Sequence, residues 1–159
     1  MSYAEGAQLW YCSFDGQGWD VDQQVPNVGL TDSPALAVFN NQLYCFHNGI
    51  SAPWYEGGPL PGAVGQLWYN VGNFVAGEPG SITWEGDQKV PDVGHSESPA
   101  LAVFNNQLYC IHQGYGDDGQ LWYLASSSMQ PAPISVEWFP DKQVPDAVLS
   151  TAPAAVVSG

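Results

Sequence analysis

Apolar and polar residues alternate along this chain in short segments, and the segments recur in a fixed order. The string SPALAVFNNQLYC occupies residues 33–45 and returns unchanged at residues 98–110. QLWY occurs at 8–11, 66–69 and 120–123, and a W-x-x-D-x-x-V-P pattern follows each copy. The tryptophans of the QLWY segments, Trp10, Trp68 and Trp122, are 58 and 54 residues apart. Internal repetition at such a period is typical of repeat architectures, and this spacing is near that of a four-stranded propeller blade.

Each recurring segment has the pattern of a β-strand. In PALAVF, at 34–39, Leu36 and Val38 would share one face of the strand, and the alternating alanines and phenylalanine the other. Because both faces are apolar, we expect this strand to be covered on both sides. The pair Asn40–Asn41 is typical of a tight hairpin, since Asn tolerates positive φ. No window has a 3.6-residue period long enough for a helix.

The segments predict an up-and-down, four-stranded unit with an inner, a second, a third and an outer strand. PALAVF forms the inner strand, QLYCFH the second, QLWY the third, and GWDVDQQV, after a turn at Asp15–Gly18, the outer. We therefore predict an all-β fold, a β-propeller with about three four-stranded blades. The predicted units are a partial blade at 1–32, blades at 33–97 and 98–150, and an inner strand at 151–159.

The two ends of the chain are complementary in this scheme. TAPAAVVSG at the C-terminus stands where an inner strand is expected, and the N-terminal unit lacks one. Three blades are too few for a closed ring, since propellers typically have four to eight. We expect a homodimer that forms a six-bladed ring, each tail completing the partner's first blade and leaving no open sheet edge. The alternative is that the chain is a fragment of a longer repeat protein.

The net charge of the chain restricts the classes of molecule that it is expected to bind. The chain has 2 Lys+Arg against 16 Asp+Glu, a formal net charge of −14. Nucleic acids and anionic membranes both require a basic surface, so neither is an expected partner. The N-terminus has no basic segment followed by an apolar run, which predicts a cytoplasmic protein without signal peptide or membrane insertion. A chain whose signal has been removed, or one released by a non-classical route, would look the same.

Cysteine and histidine recur together at two repeat positions. Cys45 and His47, like Cys110 and His112, are two residues apart and would point to one face of a strand. The chain has three cysteines, an odd number at no metal spacing, which predicts free, buried thiols. Zinc usually needs four ligands gathered in one place, so we favour buried thiols and hydrogen-bonded histidines over a metal site. The Gly114–Gln120 loop has adjacent carboxylates without the alternating spacing of a strong calcium site. We expect no metal and no cofactor.

Catalytic motifs are scarce. Asp22, Asp87 and Asp141 recur in every unit, which fits a structural turn cap or a multivalent binding site better than a singular active site. The unrepeated segment Ser51–Gly62 contains Trp54, Tyr55 and Glu56, and it is the best location for an enzymatic alternative. One carboxylate beside two aromatics is insufficient for catalysis, so we expect a protein that is not an enzyme.

Aromatic residues provide the strongest functional signal, with 7 Trp, 8 Tyr and 6 Phe in 159 residues. Trp19, Trp84 and Trp138 each begin a predicted outer strand beside Asp, Asn, Gln or His. Large aromatics often serve only as core residues. A flat ring at a rim, however, can stack on the apolar face of a pyranose while polar neighbours bind its hydroxyls. Grooves between blades would provide the concave places that ligands require.

The pattern PALAVFNNQLYC-x-H-x-G, QLWY, GW and D-x-x-VP resembles the bacterial and fungal β-propeller lectins, including those assembled from short repeat chains, and covers essentially the whole sequence. In fucose-binding members, sugars lie between adjacent blades, held by a Trp, an Arg and a Glu. The resemblance implies that Trp19, Trp84 and Trp138 stack on sugars. The chain has no Arg, so the polar partners would be drawn from a different set: Asp22, Asp87, Asp141, His47 and His112.

The sequence thus predicts a multivalent carbohydrate-binding protein with glycans and a second copy of itself as partners. The alternative is a non-enzymatic propeller that serves as a structural or protein-interaction scaffold.

Overall fold

The computed structural model describes residues 7–50, 65–95, 97–114, 119–127 and 136–156. These residues form eleven β-strands and no helix, and all strand pairs are antiparallel, which confirms the all-β prediction. The described part of the chain therefore has no helix that could cross a membrane. The predicted Ser51–Gly62 loop and the middle of the Gly114–Gln120 loop lie outside the described residues.

The strands form three sheets in chain order. Sheet 1 contains β1 (Ala7–Tyr11) and β2 (Gln23–Leu30). Sheet 2 contains β3 (Ala35–Phe39), β4 (Gln42–Ile50), β5 (Gly65–Phe74), β6 (Ile82–Trp84) and β7 (Gln88–His95), where β6 and β7 both pair with β5. Sheet 3 contains β8 (Ala100–Phe104), β9 (Gln107–Gln113), β10 (Gln120–Ala125) and β11 (Lys142–Val148). Sheet 3 is thus a four-stranded meander, and sheet 2 has the same order with a divided last strand.

The predicted Asn-Asn hairpins are confirmed. Phe39 pairs with Gln42 across Asn40 and Asn41, whose φ angles are 49° and 60°. Asn105 and Asn106 repeat this turn with φ angles of 47° and 57°. Two consecutive residues with positive φ form the hairpin turn whose twist matches that of the flanking strands, and Asn adopts this conformation more readily than most residues.

The last strand of each sheet differs from the predicted outer strand. The expected strand over 18–25 begins only at Gln23, and Trp19 forms an isolated bridge with Phe14. Likewise Trp84 ends β6, and the ladder resumes at Gln88. The chain leaves the ladder at the recurring aspartate, because in sheets 2 and 3 that side chain binds a histidine instead of lying in a regular strand.

A second irregularity follows the Val-Pro dipeptide. Asn27, Asp92 and Asp146, the residues after each proline, have φ angles of 59°, 55° and 57°. In each sheet the register shifts in the ladder opposite these segments. Proline and bulges are both found on edge strands, where they hinder pairing with another chain.

Apolar side chains pack between consecutive sheets. The larger cluster lies between sheets 2 and 3 and includes Phe46, Leu67 and Val90 from sheet 2 and Leu108 and Leu124 from sheet 3. A smaller cluster joins sheets 1 and 2, with Leu9, Val25 and Val28 packed near Cys45, and Trp84 at its edge. Each sheet therefore packs one face against the next sheet in the chain.

The first inner strand is less covered than predicted. In β8, Leu101 and Val103 pack against the larger cluster, as expected for a strand with two apolar faces. In β3, the equivalent Leu36 and Val38 are 54% and 57% exposed. The difference arises because sheet 1 has only two described strands, so nothing in it lies opposite β3. Residues 151–156, the described part of the predicted tail strand, form no strand within the single chain.

Candidate functional site

A groove of about 1060 Å³ lies between sheets 2 and 3. One wall is the last strand of sheet 2, and the other is formed by β10 of sheet 3 and by residues 136–141, which precede β11. We call it the 2–3 groove. Its lining mixes aromatic, amide and charged side chains: Tyr69, Gln88, Lys89, Val90, Pro91, Asp92, Val93, Gly94, Gly114, Gln120, Trp122, Leu124, Val136, Glu137, Trp138, Phe139, Pro140 and Asp141.

Aromatic packing fixes the base of the groove. The Trp138 ring meets Phe46 edge-on at a centroid distance of 5.3 Å and an interplanar angle of 90°. It contacts Tyr69 in the same manner at 5.7 Å and 76°. The Tyr69 hydroxyl donates to Gln88 Oε1 at 2.8 Å, which orients the amide at the wall. Edge-to-face contacts are the preferred geometry for such rings, so the base is a rigid surface.

Trp122 is held over a glycine. A Cβ built on Gly114 would lie 2.5 Å from Trp122 Nε1, so only glycine leaves room for this ring. Gly49 stands in the same relation to Trp68 in sheet 2, where the corresponding distance to Cδ1 is 2.8 Å. The glycine in the HNG and HQG motifs therefore positions the tryptophan of QLWY. Trp122 is partly exposed and lines the groove.

The recurring histidines bind the recurring aspartates. His112 Nε2 lies 3.1 Å from Asp141 Oδ1, and His112 Nδ1 faces the Gln113 carbonyl at 3.2 Å. His47 Nε2 lies 2.9 Å from Asp87 Oδ1. Both histidines are almost completely buried, at 1% and 0% exposure, while the carboxylates are partly exposed. Each pair links the second strand of its sheet to the segment before the last strand, which differs from the turn cap expected for these aspartates.

The cysteines of the same strands are buried, as predicted, but Cys12, which was also expected to be buried, is exposed. Burial raises the pKa of the Cys45 thiol to about 12, with a smaller contribution from Asp87, and raises that of Cys110 well above its usual value. Both are therefore neutral thiols at physiological pH, without the thiolate character that nucleophiles and metal ligands require. The described residues contain no group of three or more His, Cys, Asp or Glu side chains placed to hold a metal ion.

The predicted ligand residues are distributed over the molecule. Trp138 and Asp141 line the 2–3 groove, and His112 lies behind Asp141. Trp84 packs edge-on against Tyr11 of sheet 1 at 5.6 Å. Trp19 and Asp22 lie at the free side of sheet 1, where Trp19 is 71% exposed. His47 and Asp87 form the equivalent pair in sheet 2.

Charges in the groove have both signs. Lys89, one of two basic residues in the chain, lies on the sheet 2 wall near Asp92. Glu137 and Asp141 line the opposite wall. Amides at Gln88 and Gln120 add neutral donors and acceptors. This combination suits a neutral, hydroxyl-rich ligand better than an anion, because acidic groups outnumber the single ammonium.

Sequence reasoning did not select two residues that the structure places in the groove. Trp122 was noted only as part of the repeated QLWY segment, and Phe139, which is 47% exposed, was not considered. The signal for Trp122 was the glycine two residues after each histidine, because the tryptophan pairs with the histidine across the strands and its ring lies over that glycine. No repeat signal marks Phe139, because the equivalent positions are Asp20 and Glu85.

Comparison of the chain with protein-family models, with curated proteins and with solved structures found no match in any of the three.

Proposed function

We propose that this protein is a multivalent, non-enzymatic carbohydrate-binding protein of β-propeller type, with binding sites in the grooves between adjacent sheets. The observation that carries the proposal is the 2–3 groove, where a partly exposed Trp122 and an exposed Phe139 lie among amide and carboxylate side chains. Apolar rings and a few polar groups in a concave site are the usual composition of a small-molecule site.

The roles of the residues follow from their positions. Trp122 offers a ring whose orientation Gly114 permits, and a sugar face would stack on it. Gln88 and Gln120 would exchange hydrogen bonds with hydroxyl groups, and Asp141 would accept from them. Trp138 would support the base, since its ring is engaged with Phe46 and Tyr69. Weak sites repeated on one rigid frame would gain affinity for multivalent glycans through effective concentration.

A glycan array with the purified protein tests this proposal. We expect binding to a subset of neutral glycans, and Trp122→Ala and Phe139→Ala to weaken it at least about tenfold, as for aromatic hot spots in binding sites. Phe74→Ala is a matched control, since Phe74 is 48% exposed, close to the 47% of Phe139, and lies outside the groove. No signal on any glycan from folded protein, or an equal loss in the control, would exclude the 2–3 groove as a sugar site.

The second candidate is a structural or protein-interaction scaffold. The observation that favours it is the position of Trp84 and Trp138, which pack against neighbouring sheets. A scaffold predicts that Trp84→Ala lowers stability and that Trp122→Ala affects neither stability nor any ligand. Glycan binding that depends on Trp122 distinguishes the two candidates.

A further inference from the structure

One aromatic contact recurs between consecutive sheets. Trp84 of sheet 2 packs against Tyr11 of sheet 1 with a centroid distance of 5.6 Å and an angle of 68°. Trp138 of sheet 3 packs against Tyr69 of sheet 2 at 5.7 Å and 76°. The two tryptophans occupy the same repeat position, and so do the two tyrosines. Sheets 2 and 3 therefore each place a tryptophan on the tyrosine of the preceding sheet.

The third copy of each residue lies at an end of the molecule. Trp19 of sheet 1 is 71% exposed, and its described neighbours Phe14 and Val21 are 55% and 81% exposed. Tyr123 of sheet 3 lines a shallow hollow of about 240 Å³ together with Phe104, Ile111 and other apolar side chains. In the part of the chain that the structure describes, the row of sheets thus ends in an exposed aromatic knob, formed by Phe14, Trp19 and Val21, on sheet 1 and in an apolar hollow on sheet 3.

The hollow has the composition of a buried interface. The residues that line the hollow are the repeat equivalents of sheet 2 residues that sheet 3 covers. The covered positions are at most 3% exposed: Phe39, Phe46, Leu67, Tyr69 and Val90. Their counterparts in the hollow are Phe104, Ile111, Leu121, Tyr123 and Val144. The face that forms the core between sheets 2 and 3 therefore recurs on sheet 3, where no sheet formed by the described residues covers it.

We propose that a second copy of this chain covers the hollow, with its Trp19 packed on Tyr123 and Ile111 as Trp138 packs on Tyr69 and Phe46. The occupant is a second copy because its sheet 1 presents the repeat equivalent of the Trp-bearing surface that covers sheet 2. The contact continues the two interfaces within the chain. It is head-to-tail, and two such contacts join two chains into a closed arrangement of six sheets, whereas three chains would give nine, above the usual propeller range.

The assembly also completes a binding groove. The 2–3 groove is formed by the last strand of one sheet and by the tryptophan and aspartate segment of the next. Across the proposed contact, β11 of one copy would face Trp19 and Asp22 of the other. Val156, which is 91% exposed, and the exposed Leu36 and Val38 are further apolar groups for the two copies to cover. The inference goes beyond the proposed function and does not depend on sugar binding.

Light scattering after gel filtration, with sedimentation equilibrium for affinity, tests the contact. The native protein should have twice the 17.1 kDa mass of one chain. Trp19→Ala and Ile111→Asp should each weaken association at least about tenfold, because buried aromatic anchors dominate interface energies. Phe74→Ala, which alters an exposed aromatic outside both surfaces, should retain the native mass. Circular dichroism checks that each variant is folded.

A mixing experiment identifies the pairing. Trp19→Ala retains an intact hollow and Ile111→Asp retains an intact knob, so their 1:1 mixture forms one native contact and one contact that carries both substitutions. Because Trp19 would pack on Ile111, the second substitution in that contact costs little more than the first, and the mixture should associate more tightly than either variant alone. A single-chain mass for the native protein at tens of micromolar overturns the proposal. So does undiminished association of Trp19→Ala, or a mixture no tighter than its components. Glycan binding by a monomeric native protein would refute the contact and leave the proposed function intact.

Discussion

Replacement of Phe46 by alanine tests whether the cluster between sheets 2 and 3 holds the fold together. Phe46 is completely buried. Its ring stacks on Tyr69 at 5.3 Å and 20°, and Trp138 meets it edge-on at 5.3 Å. The change removes a ring that contacts both sheets and leaves a cavity that rigid neighbouring rings cannot fill.

The expected loss of stability is large. Truncation of a buried Phe to Ala costs about 3–5 kcal/mol through lost transfer energy and the residual cavity. Two aromatic contacts are lost as well, each worth roughly 0.5–1.5 kcal/mol beyond burial. We therefore expect a value in the upper part of the range, about 4–5 kcal/mol. Since domains have ~5–15 kcal/mol of stability, the variant would retain ~0–11 kcal/mol, and it stays mostly folded without denaturant if the native protein has more than about 6 kcal/mol.

Urea unfolding followed by tryptophan fluorescence measures the effect. With a slope of about 2 kcal/mol/M, the midpoint of Phe46→Ala should fall by roughly 2 M. Phe46→Ile should have an intermediate effect, because Ile111 occupies the equivalent position in sheet 3 and fills part of the space. All variants are compared at one protein concentration, since self-association would add to the apparent stability.

Phe74→Ala is the control for this series. Phe74 is 48% exposed, so its truncation should shift the midpoint by no more than about 0.5 M. If Phe46→Ala shifts the midpoint no further than Phe74→Ala, the packing between sheets 2 and 3 contributes little, and the argument from burial is wrong.

Three further outcomes follow from the structure. In native protein at pH 8, a thiol reagent should modify Cys12, which is exposed, and leave Cys45 and Cys110 unmodified until the protein is denatured; rapid labelling of all three would contradict their burial. The free energy of unfolding should decrease as pH rises from about 8.5 toward 12. Burial raises the pKa of Cys45 and of Tyr44 to about 12 in the folded chain, whereas in the unfolded chain Cys loses its proton near pH ~8.5 and Tyr near pH ~10. A urea midpoint that stays constant over this range would refute the raised pKa values. Asn41→Val should lower the free energy of unfolding by about 1–2 kcal/mol, since φ is 60° at this position, whereas Asn41→Gly should leave it unchanged or raise it. Calorimetry of both variants measures the difference.

Local patterns predicted the individual hairpins well. The Asn-Asn pairs gave the turns that connect β3 to β4 and β8 to β9, because positive φ at two successive positions is a local backbone property. The break at the recurring aspartate was not predicted. The break depends on a contact with a histidine that is distant in sequence: His47 lies 40 residues before Asp87, and His112 lies 29 residues before Asp141. No local pattern encodes such a contact.

The sequence predicted binding sites in grooves between repeats, and that these grooves bind a ligand stays a prediction. Of the residues expected there, Trp138 and Asp141 line the 2–3 groove. The sequence could not tell which of the two tryptophans per repeat would be accessible. Trp138 became part of the base because Phe46 and Tyr69 lie under it, and Trp122 became part of the wall because Gly114 leaves space beside it.

By itself the sequence determined the repeat, the strand order within a unit and the turns, because alternation, Asn-Asn pairs and Pro act over a few residues. Only the tertiary structure decided which faces are covered. Leu36 and Leu101 occupy identical repeat positions, yet Leu36 is 54% exposed and Leu101 packs against the larger cluster. The physical reason is that burial depends on the neighbouring sheet. Identical strands have different environments because β8 packs beside the five-stranded sheet 2, whereas β3 lies beside sheet 1, which has only two described strands.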